Sequence, residues 1–418
     1  MSDRPEPARW FQRHPAVRLR RESWGGLAFH RDQGDLVELD AEGFDVVAAL
    51  AQAQTLPELR GLLRAQGQPA RRRELAAFVG ALEARGVVLR VAHDAPDLPP
   101  DSWGEGAAPE IDTGLRAPIV AHWAVTYRCN LRCAYCYAES GPGREVGPGP
   151  AVRRRIVERL AAWGVLEVAL GGGEPTLLPD FAALLAAIRA AGLVANVTTN
   201  GTNHRPEVIR ALAEHAGVVH LSADRPEHLD AARGVGVFAR LRQTASDLAG
   251  TGARLGVNLL LTPDNVRDLR RSLDEAVGLG ARGVTLLCPK GDWASAHWPG
   301  FPGPRDLEAV AEGVHSFTAD RPPVRLYVDT ALRGEWAELG LLDDPEPEVV
   351  GCGGGQRHVA VTPEGDVYPC SHARCSVYRM GNLLTDGRDH LWSRGTGLAA
   401  RLCYVQDCHG VRCACRTP

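Results

Sequence analysis

The sequence of 418 residues contains a single lysine, Lys290, although arginine is abundant. It has no apolar run long enough to span a bilayer, and its first residues lack the pattern of a secretory signal. Its formal net charge of −4, with 23% charged residues, leaves no basic stripe of the kind that binds nucleic acid. We therefore expect a cytoplasmic protein with neither a membrane nor a nucleic-acid partner.

Cysteine is the residue type that the sequence does supply, with eleven copies. In a reducing compartment such cysteines are better explained as metal ligands than as disulfides. Seven of them crowd into residues 352–418, and three others lie close together after an apolar run at 119–127.

These three are Cys129, Cys133 and Cys136, with the spacing C-x3-C-x2-C, which lets one loop turn three thiolates onto one inorganic centre. A [4Fe-4S] cluster normally takes four thiolates, so three would leave one iron open to another ligand. Closed zinc sites want four ligands, and no fourth Cys or His lies nearby at a suitable spacing. A disulfide is disfavoured because one loop cannot use three cysteines in bridges.

With Tyr135 as the aromatic residue before the last cysteine, this stretch resembles the signature of the radical S-adenosylmethionine (SAM) enzymes. The resemblance implies a [4Fe-4S] cluster whose open iron is chelated by SAM. It also implies a 5′-deoxyadenosyl radical that abstracts hydrogen from a substrate, and an electron donor such as flavodoxin or ferredoxin.

From Ile119 to about Thr330, apolar runs alternate with amphipathic helical patterns, which is typical of parallel β/α units. We expect six strands, at 119–127, 166–170, 194–199, 217–222, 255–261 and 283–288. The predicted fold is α/β, a partial (β/α)6 TIM-like barrel, and its functional groups should stand at the carboxyl ends of the strands.

The second strand runs into Gly171-Gly-Gly-Glu-Pro175, which resembles the Gly-Gly-Glu motif of the same family. By that resemblance Gly172, Gly173 and Glu174 hold the SAM amino group. Further polar residues follow the third and fourth strands, and the resemblance makes them candidates for binding SAM as well: Asn200, Ser222, Asp224 and Arg233.

Two further residues, Cys288 and Lys290, lie near the end of the sixth predicted strand. Lys290 is a candidate catalytic or substrate-carboxylate residue, with a solvated surface lysine as the alternative. Cys288 lies in an apolar run and is predicted to be a packed thiol.

The first 92 residues alternate as short strands between Val17 and Leu39, then show helical spacing at 44–50, 56–63 and 73–83, and end in a strand at 87–91. This order, with Leu-Asp-Ala-Glu-Gly at 39–43, resembles the PqqD-like precursor-peptide recognition element, a winged-helix-like α+β domain. The resemblance implies a leader peptide added as a strand to an open sheet edge. A DNA-binding winged helix is the alternative.

A hairpin is predicted between Cys352 and Cys370, with its turn at 362–366. With Gly365 between these cysteines, the pattern resembles the opening of the SPASM and twitch extensions, in which cysteines bind auxiliary iron-sulfur clusters. The cysteine spacing after this hairpin departs from the family pattern. The number of auxiliary [4Fe-4S] clusters is therefore either one or two, and zinc binding by the terminal cysteines is an alternative. The remaining candidate ligands are Cys375, Cys403, Cys408, Cys413 and Cys415.

The predicted organisation is a peptide-recognition domain at 1–92, a proline-rich linker at 93–118, a radical SAM barrel at 119–330 and an auxiliary cluster domain at 331–418. The preferred function is modification of a ribosomally synthesised precursor peptide, with an intramolecular C–C, C–O or thioether crosslink as product. The alternatives are a peptide oxidase or decarboxylase, and a non-catalytic iron-sulfur partner that presents peptides.

Overall fold

The computed structural model describes residues 9–68, 71–98, 115–289, 296–320, 324–329, 339, 353–374 and 376–399. The chain divides into two compact units, Met1–Arg116 and Ala117–Pro418.

Short antiparallel sheets and helices build the N-terminal unit. Its strands are β1 (Trp10–Arg13), β2 (Val17–Glu22), β3 (Gly25–His30), β4 (Asp35–Asp40), β5 (Gln54–Thr55) and β6 (Val88–Val91). Its helices are α1 (Ala41–Ala49), α2 (Leu56–Ala65) and α3 (Arg72–Ala84). Strands β2, β3 and β4 form the predicted meander, and β1 lies between β5 and β6 in a second sheet.

The 39–43 motif forms the junction between β4 and α1. Asp40 caps the helix, because its Oδ1 accepts the backbone N–H of Gly43 at 2.7 Å. A Cβ on Gly43 would stand 3.0 Å from the ring of Phe78, so glycine lets α3 approach this turn. The helices close over the sheets on one apolar core that includes Leu19, Phe44, Val47, Leu59 and Val79.

Part of the segment predicted as a linker is bonded to the N-terminal unit. Gln12 Nε2 donates to the carbonyl of Pro96 at 2.8 Å. The backbone N–H of Arg116 donates to Glu22 Oε2 at 2.7 Å. The residues between, 99–114, lie outside the described part of the chain.

The second unit is built on one large sheet. Its strands are β7 (Val120–Thr126), β8 (Glu167–Gly172), β9 (Val194–Thr199), β10 (Ala216–Ser222), β11 (Leu255–Leu260), β12 (Gly283–Leu287), β13 (Arg325–Val328), β14 (His358–Val361), β15 (Asp366–Tyr368) and β16 (Gly381–Asn382). The helices are α4 (Pro150–Trp163), α5 (Phe181–Ala190), α6 (Pro206–His215), α7 (Pro226–Arg233), α8 (Val237–Ala249), α9 (Leu269–Gly278), α10 (Pro304–Ala319) and α11 (Arg388–Ala399).

The strand order is β13-β12-β11-β10-β9-β8-β7-β14-β15-β16. Strands β7 to β13 run parallel to their neighbours, and β14 runs parallel to β7. The pairs β14–β15 and β15–β16 are antiparallel. The six predicted strands are confirmed as β7 to β12, and β13 was not predicted. The carboxyl ends of the parallel strands therefore meet at one edge, where the loops that follow β7, β8, β9 and β10 come together.

The two faces of the parallel strands differ in polarity because successive side chains alternate. One face is apolar and buried: Val168, Leu170, Val197, Val219, Leu221, Val257, Leu259, Val284 and Leu286. The other carries polar side chains that keep part of their surface exposed: His122, Glu167, Asn196, Thr198, His220, Ser222, Asn258, Thr285 and Tyr327. Among the described helices, none has both the length and the apolar character needed to cross a bilayer.

Candidate active site

The three-cysteine loop follows β7 and is closed at its base by backbone hydrogen bonds. Cys129 N–H donates to Gly141 O at 3.2 Å, and Gly141 N–H donates to Tyr127 O at 3.3 Å. Two more N–H groups point at sulfur: that of Leu131 lies 3.4 Å from Cys129 Sγ, and that of Ser140 lies 3.5 Å from Cys136 Sγ. Cys129 and Cys136 thus each have a backbone donor from their own loop that would stabilise a thiolate.

Burial raises the pKa of the Cys129 thiol to about 11 and also raises that of Cys133. A metal centre would reverse this, since ligation holds sulfur as thiolate. Within the described ranges, no three His, Cys, Asp or Glu side chains lie close enough to share one metal ion. Three half-buried thiols on one loop, two of them faced by backbone N–H groups, are nevertheless the kind of ligands that an iron-sulfur cluster takes.

The glycines at the carboxyl end of β8 bring that strand end against the cysteine loop. A Cβ on Gly172 would stand 2.4 Å from Thr126 O, and one on Gly173 would stand 2.1 Å from Arg128 O. Gly173 N–H donates to Thr126 O at 2.7 Å. Because Gly172 and Gly173 lack side chains, the backbone at the end of β8 can contact the backbone of the cysteine loop. Gly171 differs, since a Cβ there would meet nothing within 4 Å.

Glu174 is 1% exposed and receives hydrogen bonds on both carboxylate oxygens. Oε1 accepts the hydroxyls of Thr176 and Thr199, each at 2.7 Å, and Oε2 accepts the backbone N–H of Asn200 at 2.7 Å. Burial raises the pKa of Glu174, while these donors act in the opposite direction. The carboxylate therefore ties the end of β8 to the end of β9.

Asn200 follows β9 and reaches the cysteine loop. Its Nδ2 donates to Asn130 Oδ1 at 3.0 Å and lies 3.7 Å from Cys129 Sγ. Its Oδ1 accepts both the backbone N–H and the hydroxyl of Thr202, at 2.9 and 2.7 Å.

The polar residues after β10 are tied to neighbouring loops. Arg233 Nε donates to the Tyr135 hydroxyl at 3.1 Å, and its Nη1 donates to Ser222 O at 2.8 Å. Asp224 accepts from the side chains of Asn265 and Ser272, each at 2.8 Å. Arg233 thus contacts the cysteine loop directly, whereas both oxygens of the Asp224 carboxylate accept hydrogen bonds from side chains that follow β11.

The predicted hairpin of the C-terminal region is confirmed as β14 and β15, and Cys370 follows it. The backbone N–H of His372 lies 3.4 Å from Cys370 Sγ, the same two-residue arrangement as at Cys129. Arg374 Nη2 donates to Tyr137 O at 3.0 Å, and the rings of Tyr137 and His372 lie 4.7 Å apart. The loop that carries Cys370 therefore packs on the three-cysteine loop.

Several predicted site residues lie outside the described part of the chain: Lys290, Cys352, Cys375, Cys403, Cys408, Cys413 and Cys415. Cys288 is buried, as expected of a packed thiol. The sequence did not single out Asn130, Thr176, Thr199 or Thr202, since polar residues in turns are common and only the contacts between loops reveal their roles.

Two family models match the second unit. The radical SAM superfamily matches residues 123–276, and the iron-sulfur cluster-binding domain SPASM matches residues 352–413. Mycofactocin maturase MftC of Mycobacterium ulcerans is 33% identical over 298 residues, which cover 68% of this chain and 76% of that protein. This chain belongs to the radical SAM superfamily. The predicted radical SAM enzyme with a SPASM domain is thereby confirmed.

Further likenesses extend this result. The PqqA peptide cyclase of Ruegeria pomeroyi is 32% identical over 275 residues, 60% of this chain and 71% of that protein. Among solved structures, Streptococcus suis SuiB bound to precursor peptide SuiA superposes with a TM-score of 0.65 at 16% identity, covering 91% of this chain and 88% of SuiB. The same protein bound to S-adenosylmethionine gives 0.63. At these identities the likeness shows a shared fold.

Proposed function

We propose that this radical SAM enzyme modifies a ribosomally synthesised precursor peptide after hydrogen abstraction by a 5′-deoxyadenosyl radical. The observation that carries the proposal is the three-thiol loop, braced by the glycine motif and packed on a second cysteine loop. The relatives support the substrate class, because one is a peptide cyclase and another is a maturase.

The thiols of Cys129, Cys133 and Cys136 would hold the [4Fe-4S] cluster that binds SAM. When bound, the cluster and SAM supply the adenosyl radical. The loops that follow β7, β8 and β10 would orient this pair. Arg233 would hold the SAM carboxylate, and its hydrogen bonds to Tyr135 and to the strand end at Ser222 support this proposal.

The remaining SAM candidates act on different parts of the site. The open side of Gly171 leaves backbone accessible at the tip of β8, beside Gly172 and Gly173. The carboxylate of Glu174 and that of Asp224 position loops through the hydrogen bonds they accept. Lys290 is retained as a candidate for binding a substrate carboxylate or transferring a proton.

We assign leader binding to the N-terminal unit, as a PqqD-like recognition element. Strands β2 and β4 are the edges of its meander. Among the described strands β4 pairs with β3 alone, and its outer edge is the one that would receive an extended peptide through backbone hydrogen bonds.

In the C-terminal region, Cys352, Cys370 and the later cysteines would hold one or two auxiliary [4Fe-4S] clusters that accept the second electron of the reaction. Cys370 supports this role through the N–H that faces its sulfur. The preferred product is a C–C, C–O or thioether crosslink. A peptide oxidase or decarboxylase would use the same site without forming a new bond between residues, and flavodoxin or ferredoxin would supply the first electron.

The experiment uses anaerobically reconstituted full-length enzyme, SAM, a reductant and the precursor peptide encoded beside this gene. We expect 5′-deoxyadenosine and a peptide lighter by two hydrogens, and both should vanish when Cys129, Cys133 and Cys136 are replaced by alanine. Undiminished 5′-deoxyadenosine in that triple variant would overturn the assignment. A peptide of unchanged mass together with no 5′-deoxyadenosine would favour the non-catalytic alternative.

A further inference from the structure

The side chain of Asn200 has a hydrogen-bond partner for each of its polar groups. Its oxygen accepts two hydrogen bonds from Thr202, at 2.9 Å from the backbone N–H and 2.7 Å from the hydroxyl. Its nitrogen has two hydrogens, and two acceptors lie near it, Asn130 Oδ1 at 3.0 Å and Cys129 Sγ at 3.7 Å. This arrangement uses the full capacity of a carboxamide.

The orientation of this carboxamide is fixed from three sides. A flipped amide would set its NH2 group against the N–H of Thr202, so the oxygen must face Thr202 and the nitrogen must face the sulfur. Asn130 Nδ2 donates to the Thr202 hydroxyl at 2.8 Å, which closes a ring of hydrogen bonds. The backbone of Asn200 is held by buried Glu174. The N–H group that points at Cys129 is therefore preorganised.

We propose that Asn200 is a positioning residue that sets the reduction potential of the cluster by donating this N–H to the Cys129 thiolate. The proposal rests on the three cysteines holding the cluster. Reduction adds one negative charge to a cluster, and a hydrogen bond to sulfur stabilises the reduced state more than the oxidised state. The N–H of Asn200 should thus raise the potential and ease the electron transfer that must precede SAM cleavage.

This role differs from direct SAM binding, to which the sequence resemblance assigned Asn200. Both N–H hydrogens and the oxygen are engaged within the protein, so no group of the side chain is left for a ligand. The position is also buried, at 8% exposed, which strengthens a hydrogen bond by lowering the local dielectric constant.

The test replaces Asn200 with leucine, which keeps the approximate volume and removes the donor. Asn203→Leu is the matched control, because Asn203 lies in the same loop and its Nδ2 donates to Thr176 O at 2.8 Å rather than to sulfur. Iron and sulfide are measured on reconstituted full-length enzyme. The midpoint potential of the cluster is then followed by electron paramagnetic resonance, using the signal that disappears in the triple cysteine variant.

We expect Asn200→Leu to retain its iron, to bind SAM with unchanged affinity and to show a midpoint potential shifted to more negative values. Asn203→Leu should keep the wild-type potential. An unchanged potential in Asn200→Leu, or a weakened SAM affinity with no change in potential, would refute the proposal.

A second variant, Asn200→Ala, is needed if the leucine side chain prevents cluster assembly. Alanine also removes the donor but is smaller than asparagine, so it cannot displace the cysteine loop by its size. If neither variant holds iron while Asn203→Leu does, Asn200 is needed for assembly and the tuning role is wrong. Failure of the proposed function is a separate outcome, recognised by 5′-deoxyadenosine formation in the triple cysteine variant.

Discussion

Glu167 is a carboxylate at the start of β8 whose pKa is raised to about 7, chiefly by burial. Its Oε2 accepts from Asn196 Nδ2 at 2.7 Å, and Asn196 Oδ1 in turn accepts the backbone N–H of Val218 where β10 shifts register against β9. The neutral acid is thus the form that the folded protein favours. Its contribution to stability is complete below the unfolded pKa of 4.5 and is lost as pH rises through about 7.

Replacing Glu167 with glutamine should remove the pH dependence that this carboxyl group gives to the stability of the folded protein. Glutamine keeps an oxygen to accept from Asn196 and cannot ionise. We expect the variant to match wild type in thermal unfolding near pH 4.5 and to be more stable at pH 8.5, by about 3 kcal/mol on the scale of 1.4 kcal/mol per pKa unit. Glu158→Gln, at an exposed position of α4, should follow the wild-type curve. Parallel curves for Glu167→Gln and wild type would contradict this account.

At Gly173, the addition of a single methyl group should displace the three-cysteine loop. Its Cβ would stand 2.1 Å from the backbone oxygen of Arg128, which is closer than any real Cβ contact. Gly173→Ala should therefore displace the cysteine loop and lower the iron content by about one cluster per chain. Gly171→Ala is the control, because its Cβ would meet nothing within 4 Å, and it should retain its iron. Full iron content in Gly173→Ala would show that the loop tolerates the shift.

At the scale of elements, periodicity was enough to predict the strands that lie buried under helices. Strands β7 to β12 alternate or run apolar, so the sequence placed each of them within about two residues of its observed ends. Strand β1 was not predicted because Gln12 and Arg13 interrupt its apolar pattern, and both turn out to be buried. Strand β13 was not predicted because its side chains are largely exposed, with Tyr327 at 52%.

The candidate site was predictable to the extent that its residues follow one another in the chain. The spacing of Cys129, Cys133 and Cys136 is local, and so is the glycine motif. The hydrogen bond from Asn200 to sulfur joins residues 71 positions apart, and the contact of Arg374 with Tyr137 joins residues 237 apart. Such contacts depend on strand order and register, which a single sequence does not encode in a readable pattern.

The boundary of the N-terminal unit can be tested with two fragments. Arg20 and Glu22 form a buried ion pair, with their side chains 1% and 0% exposed. The backbone N–H of Arg116 donates a further hydrogen bond to the Glu22 carboxylate. Truncation at residue 92 removes that donor and the carbonyl of Pro96, which accepts from buried Gln12. A buried polar group without its partner costs about 1–3 kcal/mol.

We therefore expect fragment 1–116 to unfold at a higher temperature than fragment 1–92, and to bind the cognate leader peptide at least as tightly. Circular dichroism melts and a titration with leader, against a scrambled leader as control, check the two statements. Equal melting temperatures would mean that residues 93–116 add nothing to this unit. Lack of leader binding by both fragments and by the full enzyme would remove the recognition role.

At the scale of the whole molecule, the cysteines outnumber what one cluster can use. We have proposed that the three-cysteine loop holds one cluster, and Cys370 follows a hairpin whose turn is set by Gly365 at φ +88°. Thiolates left bare near an adenosyl radical would be oxidised, whereas ligated thiolates are protected and can conduct an electron. We therefore expect the C-terminal cysteines to bind a metal of their own.

We expect about eight to twelve irons per chain in the reconstituted enzyme, on the usual four irons per cubane. The triple alanine variant of Cys129, Cys133 and Cys136 should lose about four irons and keep the rest. Cys370→Ala should show the converse, with the iron of the three-cysteine loop retained and auxiliary iron lost, and zinc assayed on the same samples separates a zinc site from a cluster. If the triple variant keeps no iron, the auxiliary clusters do not exist as proposed, and an external acceptor would have to take the second electron of the reaction.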